Sequence, residues 1–268
     1  MPCPVSVGPR LAWRLQGTFR MRIFRGLVAA FTVCVGLVAV PFGVVSVLYV
    51  WVLDELDLPQ PPAGQSLTRT QQIELWTANG GEAEVFEVER QYPWTPFLDV
   101  VIQKSSLPRA EAPLVWSVAR QSLKARGRMP MGWWHLRGVA LSIWVTRHWS
   151  AADLVNELAR TQFLGRSAKG VEAGASAYFG RSFSALELHQ RALLQGLAVN
   201  PSGREPHCYP ERARKARSAV LNRWRSQRLL TTAEAEAAAT QALDVVPLSR
   251  PCEERRADEV SRSPPSGE

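Results

Sequence analysis

Cysteines, histidines and arginines are the side chains whose types and spacing could do chemistry in this chain. The four cysteines form no CxxC pair, and His135, His148, His189 and His207 are scattered with no HxxxH pair. Metal sites need such ligands in clusters, so neither set points to one. Cys3 and Cys34 fall before and inside a long apolar run; Cys208 and Cys252 fall after it. The latter two form a disulfide if that region lies in an oxidising compartment, and remain two thiols otherwise. Arginine supplies most of the formal charge of +8 and clusters between Arg204 and Arg228. Guanidinium groups there suit nucleic acid, an anionic membrane surface or a phosphorylated ligand. The same cluster also reads as the solvated face of a basic helix.

The element that positions everything else is the apolar run. From Leu27 to Leu53 there is no charged residue, roughly 27 residues or about 40 Å of helix. That exceeds a hydrocarbon core of ~30 Å, so a tilt, or a kink at Pro41, is expected. Arg10, Arg14, Arg20, Arg22 and Arg25 precede the run, and Asp54, Glu55 and Asp57 follow it. Excess arginine on the N-terminal side places that side in the cytoplasm. The run is too long for the apolar part of a signal peptide, no clean A-x-A site follows, and Val33 is too large for a lipobox at Cys34. The reading is an uncleaved single-pass anchor with the domain outside the cytoplasm. That topology excludes nucleic acid as a partner for the arginine cluster.

The chain then divides into a cytoplasmic basic tail (1–26), the transmembrane helix (27–53), a linker (54–94), a helical domain (95–245) and a disordered tail (246–268). The linker is acidic, then rich in Pro and Gly, with a hairpin-like alternation around Asn79-Gly80. In the domain, Ser150 with Asp153, Ser184 with Glu187, and Thr231 with Glu234 have the spacing of capping boxes and predict three helix starts. Leu154, Val155, Leu158 and Gln162 share a face of the first of these helices. Ala213, Ala216, Val220 and Trp224 form an apolar stripe between basic residues. Ten tryptophans is a high count; Trp133, Trp134, Trp144 and Trp149 suit either a membrane-dipping patch or ordinary core packing.

Residues 165–183 read GRSAKGVEAGASAYFGRSF, followed by LELHQRALLQGLAVNPSG and PERARKARSAVLNRW. This resembles the peptidoglycan glycosyltransferase domain (glycosyltransferase family 51) of monofunctional transglycosylases and class A penicillin-binding proteins. Gly170, Glu172, Ala173, Ala175, Tyr178, Phe179, Gly180 and Arg181 match the family's G-x-E-A-A-A-x-x-Y-F-G-[KR] run. Pro210, Glu211, Ala213, Arg217, Val220 and Leu221 match its P-E-x-A-x-x-R-x-x-V-L run. The likeness is specific over about residues 145–240. It implies a mainly α, lysozyme-like domain behind one transmembrane helix, working on lipid II beside the membrane.

The family's acid–base groups do not carry over. Polymerisation needs a carboxylate to take the proton of the acceptor hydroxyl while the diphosphate leaves. In the expected register Ser105 and Ser106 stand where the family has Glu-Asp, and a serine is no base without its own activator. Asn156 stands at the second glutamate. Glu157 is one residue on, a rotation of about 100° on a helix. Glu111 and Glu157, with Asp99, are the possible substitutes, and Arg137, Arg147 and Glu172 are the expected substrate-binding residues. Trp116 to Gln121 is a distant echo of the family's S-T-I-T-Q-Q motif. The leading expectation is a wall-assembly protein that binds lipid II or glycan with impaired catalysis. The alternatives are an active polymerase with displaced carboxylates, or a non-catalytic scaffold for other cell-wall enzymes. No cofactor is implied, beyond a divalent metal if the chain is active.

Overall fold

Regular structure in the chain is almost entirely helical, as the sequence leads one to expect. The computed structural model describes residues 10–63, 67–95, 112–124, 130–248 and 252. Helix α1 (Arg10–Asp54) is followed by α2 (Arg69–Ala78), α3 (Ala112–Lys124), α4 (Met131–His148) and α5 (Ala151–Thr161). A small antiparallel hairpin, β1 (Phe163–Gly165) and β2 (Ala168–Lys169), leads into α6 (Val171–Phe179). Then come α7 (Leu188–Leu197), α8 (Pro210–Ser226) and α9 (Thr232–Thr240), with 3-10 turns at Phe183–Ala185 and Ser202–Arg204.

Within α1, the span Phe31–Asp54 is long and apolar enough to cross a membrane, and no residue of its most apolar window is fully buried. The last turns are different. Val52 and, just beyond the helix, Leu56 are buried with Ala119 and Leu123 of α3 and Ala140 and Leu141 of α4. The C-terminal end of the apolar run therefore packs against the domain.

The main core draws Leu75 and Trp76 from α2, Leu114, Val115 and Val118 from α3, and Leu154 and Val155 from α5. Tyr178 of α6 and Leu193, Leu194 and Leu197 of α7 complete it. Two predicted capping boxes are present: Ser150 accepts from the Asp153 N–H, and Thr231 from the Glu234 N–H. The third is displaced. Ser184 lies in the 3-10 turn, and Glu187 is the N-cap of α7, its N–H donated to Gln190 Oε1 at 3.1 Å.

Two other expectations differ from the structure. The stretch read as a linker with a hairpin holds α2, opened by a capping box of Thr68 and Gln71, and no strand among its described residues. Buried Leu67, Leu75 and Trp76 make α2 part of the core, and Phe86 packs edge-on to Trp76 at 5.4 Å. The alternation near residue 86 thus reflects one aromatic anchor rather than a sheet. The head of the stretch read as a disordered tail is also held. Val246 N–H donates to Tyr178 O at 2.7 Å, and Cys252 is bonded to Cys208. Pro/Ser-rich composition does not register such tethers.

Candidate functional site

Between α3 and the C-terminal half of α5 lies a groove of about 1130 Å³. Ser117, Arg120 and Gln121 of α3 form one wall; Glu157, Arg160 and Thr161 of α5, with Phe163 and Lys169 of the hairpin, form the other. Trp116 and Trp149 also line it. The α3 wall is the segment that only distantly echoed S-T-I-T-Q-Q. Gln121 Nε2 donates to Thr161 Oγ1 at 2.9 Å and ties the two walls together.

Glu157 is the carboxylate of this groove. Both of its oxygens are engaged by Arg160, with Nε to Oε2 at 2.9 Å and Nη2 to Oε1 at 2.7 Å. The Glu157 side chain is 11% exposed and that of Arg160 is 66% exposed. The hydrogen bonds from Arg160 to Glu157 push the guanidinium pKa still higher, so it stays charged. Arg160 thus takes one acceptor site on each oxygen of the carboxylate and leaves the others open. With Glu157 and Arg160 cancelling, Arg120 and Lys169 leave the groove cationic.

Asn156, one position back, points elsewhere. It is buried against α2 and accepts from Gln72 Nε2 at 3.4 Å. The 100° step between neighbours on a helix thus puts the amide in a helix interface and the carboxylate in the groove. The expected ligand-binding residues are not among those lining the groove. Arg137 pairs with Glu55 at the end of α1 and lies over the Trp133 ring at 5.7 Å. Arg147 lies over Tyr92 at 5.5 Å. Glu172 Oε2 accepts the Phe183 N–H at 3.0 Å, holding the chain that leaves α6. Ser105, Ser106, Glu111 and Asp99 lie outside the described residues. No group of three His, Cys, Asp or Glu that could hold a metal ion occurs among the described residues.

The hairpin that carries Lys169 depends on backbone that only glycine adopts easily. Gly165 and Gly170 have φ of 87° and 90°; a Cβ at the first would sit 2.7 Å from Tyr178 Oη, and at the second 2.8 Å from Arg160 O. Tyr178 Oη donates to Leu164 O at 2.9 Å. Beneath the turn, Arg166 and Glu205 form a buried bidentate ion pair, 2.7 Å at its shorter contact. Arg166 also lies over the Tyr178 ring at 4.3 Å.

Residues 128–225 match the transglycosylase family. The chain carries a transglycosylase domain of glycosyltransferase family 51. It is 32% identical to penicillin-binding protein 1A of Aquifex aeolicus over 110 residues, which is 41% of this chain and 15% of that protein. It is 31% identical to penicillin-binding protein 1B of Vibrio cholerae over 117 residues, 42% of this chain and 15% of that one. The crystal structure of penicillin-binding protein 1A from Haemophilus influenzae is 31% identical over 40% of this chain and 17% of its own, with a TM-score of 0.33. The chain thus spans only a small part of the length of these relatives.

Within the transglycosylase domain, the run from Gly170 to Arg181 builds architecture. Gly170 passes under α5, Glu172 holds Phe183, and Tyr178 latches β1. Arg217 is buried in α8 and donates to the carbonyls of Ala239 and Ala242 at the end of α9. The groove residues Arg120, Arg160 and Lys169 had no such motif to announce them. The available signal was Arg160 three residues after Glu157, a spacing that brings side chains together on a helix.

Proposed function

We propose that this chain is a membrane-anchored transglycosylase-domain protein of cell-wall assembly that binds lipid II, or glycan made from it, and turns it over poorly. The observation that carries the reading is the groove itself: cationic through Arg120 and Lys169, with Glu157 held at both oxygens by Arg160. Glycosyl transfer requires the acceptor hydroxyl to lose its proton as its oxygen attacks the anomeric carbon and the diphosphate departs. Arg120 and Lys169 suit the diphosphate. Glu157 is the groove's carboxylate for the proton, and Arg160 is the group that has to move to bare both of its oxygens.

The anchor crosses the inner membrane with its arginine-rich end in the cytoplasm and the domain in the periplasm. The charge asymmetry around the apolar span supports this orientation. So does the Cys208–Cys252 bond, which belongs in an oxidising compartment.

One observation favours a second reading, an active polymerase: Arg160 is mostly exposed and free to swing off Glu157 onto a bound phosphate. Labelled lipid II incubated with the full-length protein in detergent micelles tests both. Binding without polymer supports the first reading, and long glycan chains in the product refute it. No binding at all turns the assignment toward a scaffold that docks other wall enzymes.

A further inference from the structure

Arg147 sits at the anchor, away from the groove. Trp133, near the start of α4, meets Trp51 of α1 with ring centroids 5.6 Å apart. Arg147, near the other end of α4, faces the hydroxyl of Tyr49 on the same stretch of α1. Between Trp133 and Arg147 runs about 21 Å of helix. One helix can reach the same turn of another from both of its ends only by crossing it, so α4 lies across α1.

Below this crossing an aromatic stack descends along the anchor. Arg147 lies 5.5 Å over the Tyr92 ring, Tyr92 stacks on Trp94 at 5.1 Å, and Trp94 meets Phe42 of α1 at 5.7 Å. Phe42 is about 10 Å deeper along the helix than Tyr49, and Tyr49 is about 7 Å short of Asp54. The Arg147 guanidinium therefore stands at the polar edge of the apolar span. Among the described residues it takes part in no ion pair, whereas Arg137 on the same helix is matched by Glu55. A charge at that level of a bilayer is costly unless a partner reaches it, and lipid phosphate is the anion available there.

We propose that Arg147 and the Tyr49 hydroxyl bind the phosphate of a phospholipid in the leaflet on the domain's side, with the Tyr92–Trp94 stack against its glycerol and upper chains. The site rests on α1 crossing the bilayer and is independent of what the groove binds. It assigns Arg147 to the bilayer rather than to the diphosphate of a bound substrate, although both offer the same chemistry.

The test uses the full chain purified in mild detergent, titrated separately with phosphatidylglycerol and with lipid II and read by native mass spectrometry. Arg147→Gln should weaken phosphatidylglycerol binding about fivefold, the worth of one basic side chain at an anionic surface. Arg147→Lys should restore part of that loss, and Tyr49→Phe should show a smaller one. Lipid II binding should be unchanged in Arg147→Gln and reduced in Arg120→Ala. Unchanged phosphatidylglycerol binding in Arg147→Gln would overturn the proposal, and so would a parallel loss of lipid II. Release of the wild-type chain from membranes by alkaline carbonate would instead overturn the anchor that the site rests on.

Discussion

Replacing Glu205 with alanine removes one partner of the most deeply buried ion pair described in the domain. The side chains of Arg166 and Glu205 are 7% and 2% exposed, so the loss strands a guanidinium where water cannot replace the carboxylate. Breaking such a pair from one side typically costs about 3–5 kcal/mol. Arg166 retains two backbone acceptors, Ala177 O at 2.9 Å and Val246 O at 2.8 Å, which argues for the lower end, about 3 kcal/mol. For a chain of this size that corresponds to a fall in melting temperature of about 9 °C. Thermal unfolding of the full chain in micelles, followed by tryptophan fluorescence, measures it. The double variant Arg166→Met/Glu205→Leu should recover much of the loss, because neither charge is then buried alone. A fall under about 1 kcal/mol for Glu205→Ala would refute this account, since unpaired burial cannot be that cheap. Strict additivity of the two single changes in the double variant would refute it equally, by denying the coupling. Because the pair underlies the Gly165–Lys169 turn, Glu205→Ala should also weaken any ligand that depends on Lys169.

Three further outcomes are expected. Reducing the Cys208–Cys252 bond, or replacing both residues with serine, should cost about 2–4 kcal/mol by freeing the chain end that crosses Tyr178, seen as a lower melting temperature and faster proteolysis after residue 240. Burial holds the His189 pKa below its ordinary value of 6.5, with Arg217 acting the same way and Glu187 and Asp244 opposing. The unfolded chain therefore takes up that proton first, so stability should decline as pH falls below about 6.5, and His189→Gln should flatten this part of the pH–stability curve. Arg160→Ala should free Glu157; polymerisation of lipid II that rises above the wild-type level would identify Arg160 as the restraint, and an unchanged level would show that more than this pair is missing.

Several features were legible because they are local. The long apolar helix needs only an uncharged apolar run, and that helix is present at Phe31–Asp54. The starts of α5 and α9 need only a hydroxyl residue three positions before an acid that reaches back. The start of α2 carries the same kind of signal in Thr68 and Gln71, but the proline-rich approach and the Asn79-Gly80 pair drew the reading toward a hairpin. The Glu187 start of α7 was misplaced because Ser184 offered the more usual cap at a plausible spacing. Motif register located the domain through residues 165–221, and these are largely residues that shape turns and seal helices.

Sequence alone indicated that an arginine-flanked apolar helix precedes a mainly helical transglycosylase domain. Tertiary structure decided the surroundings of each charge. Arg137 and Glu55 meet across 82 positions, Arg191 and Glu74 across 117, and Arg166 and Glu205 across 39. The groove likewise exists only where α3, α5 and the β1–β2 hairpin converge. Hydropathy and capping act within a turn or two and can be read along the chain. Pairing and desolvation act through space, so whether a carboxylate is a base, a structural tie or a clamped bystander depends on which distant residues the fold brings to it.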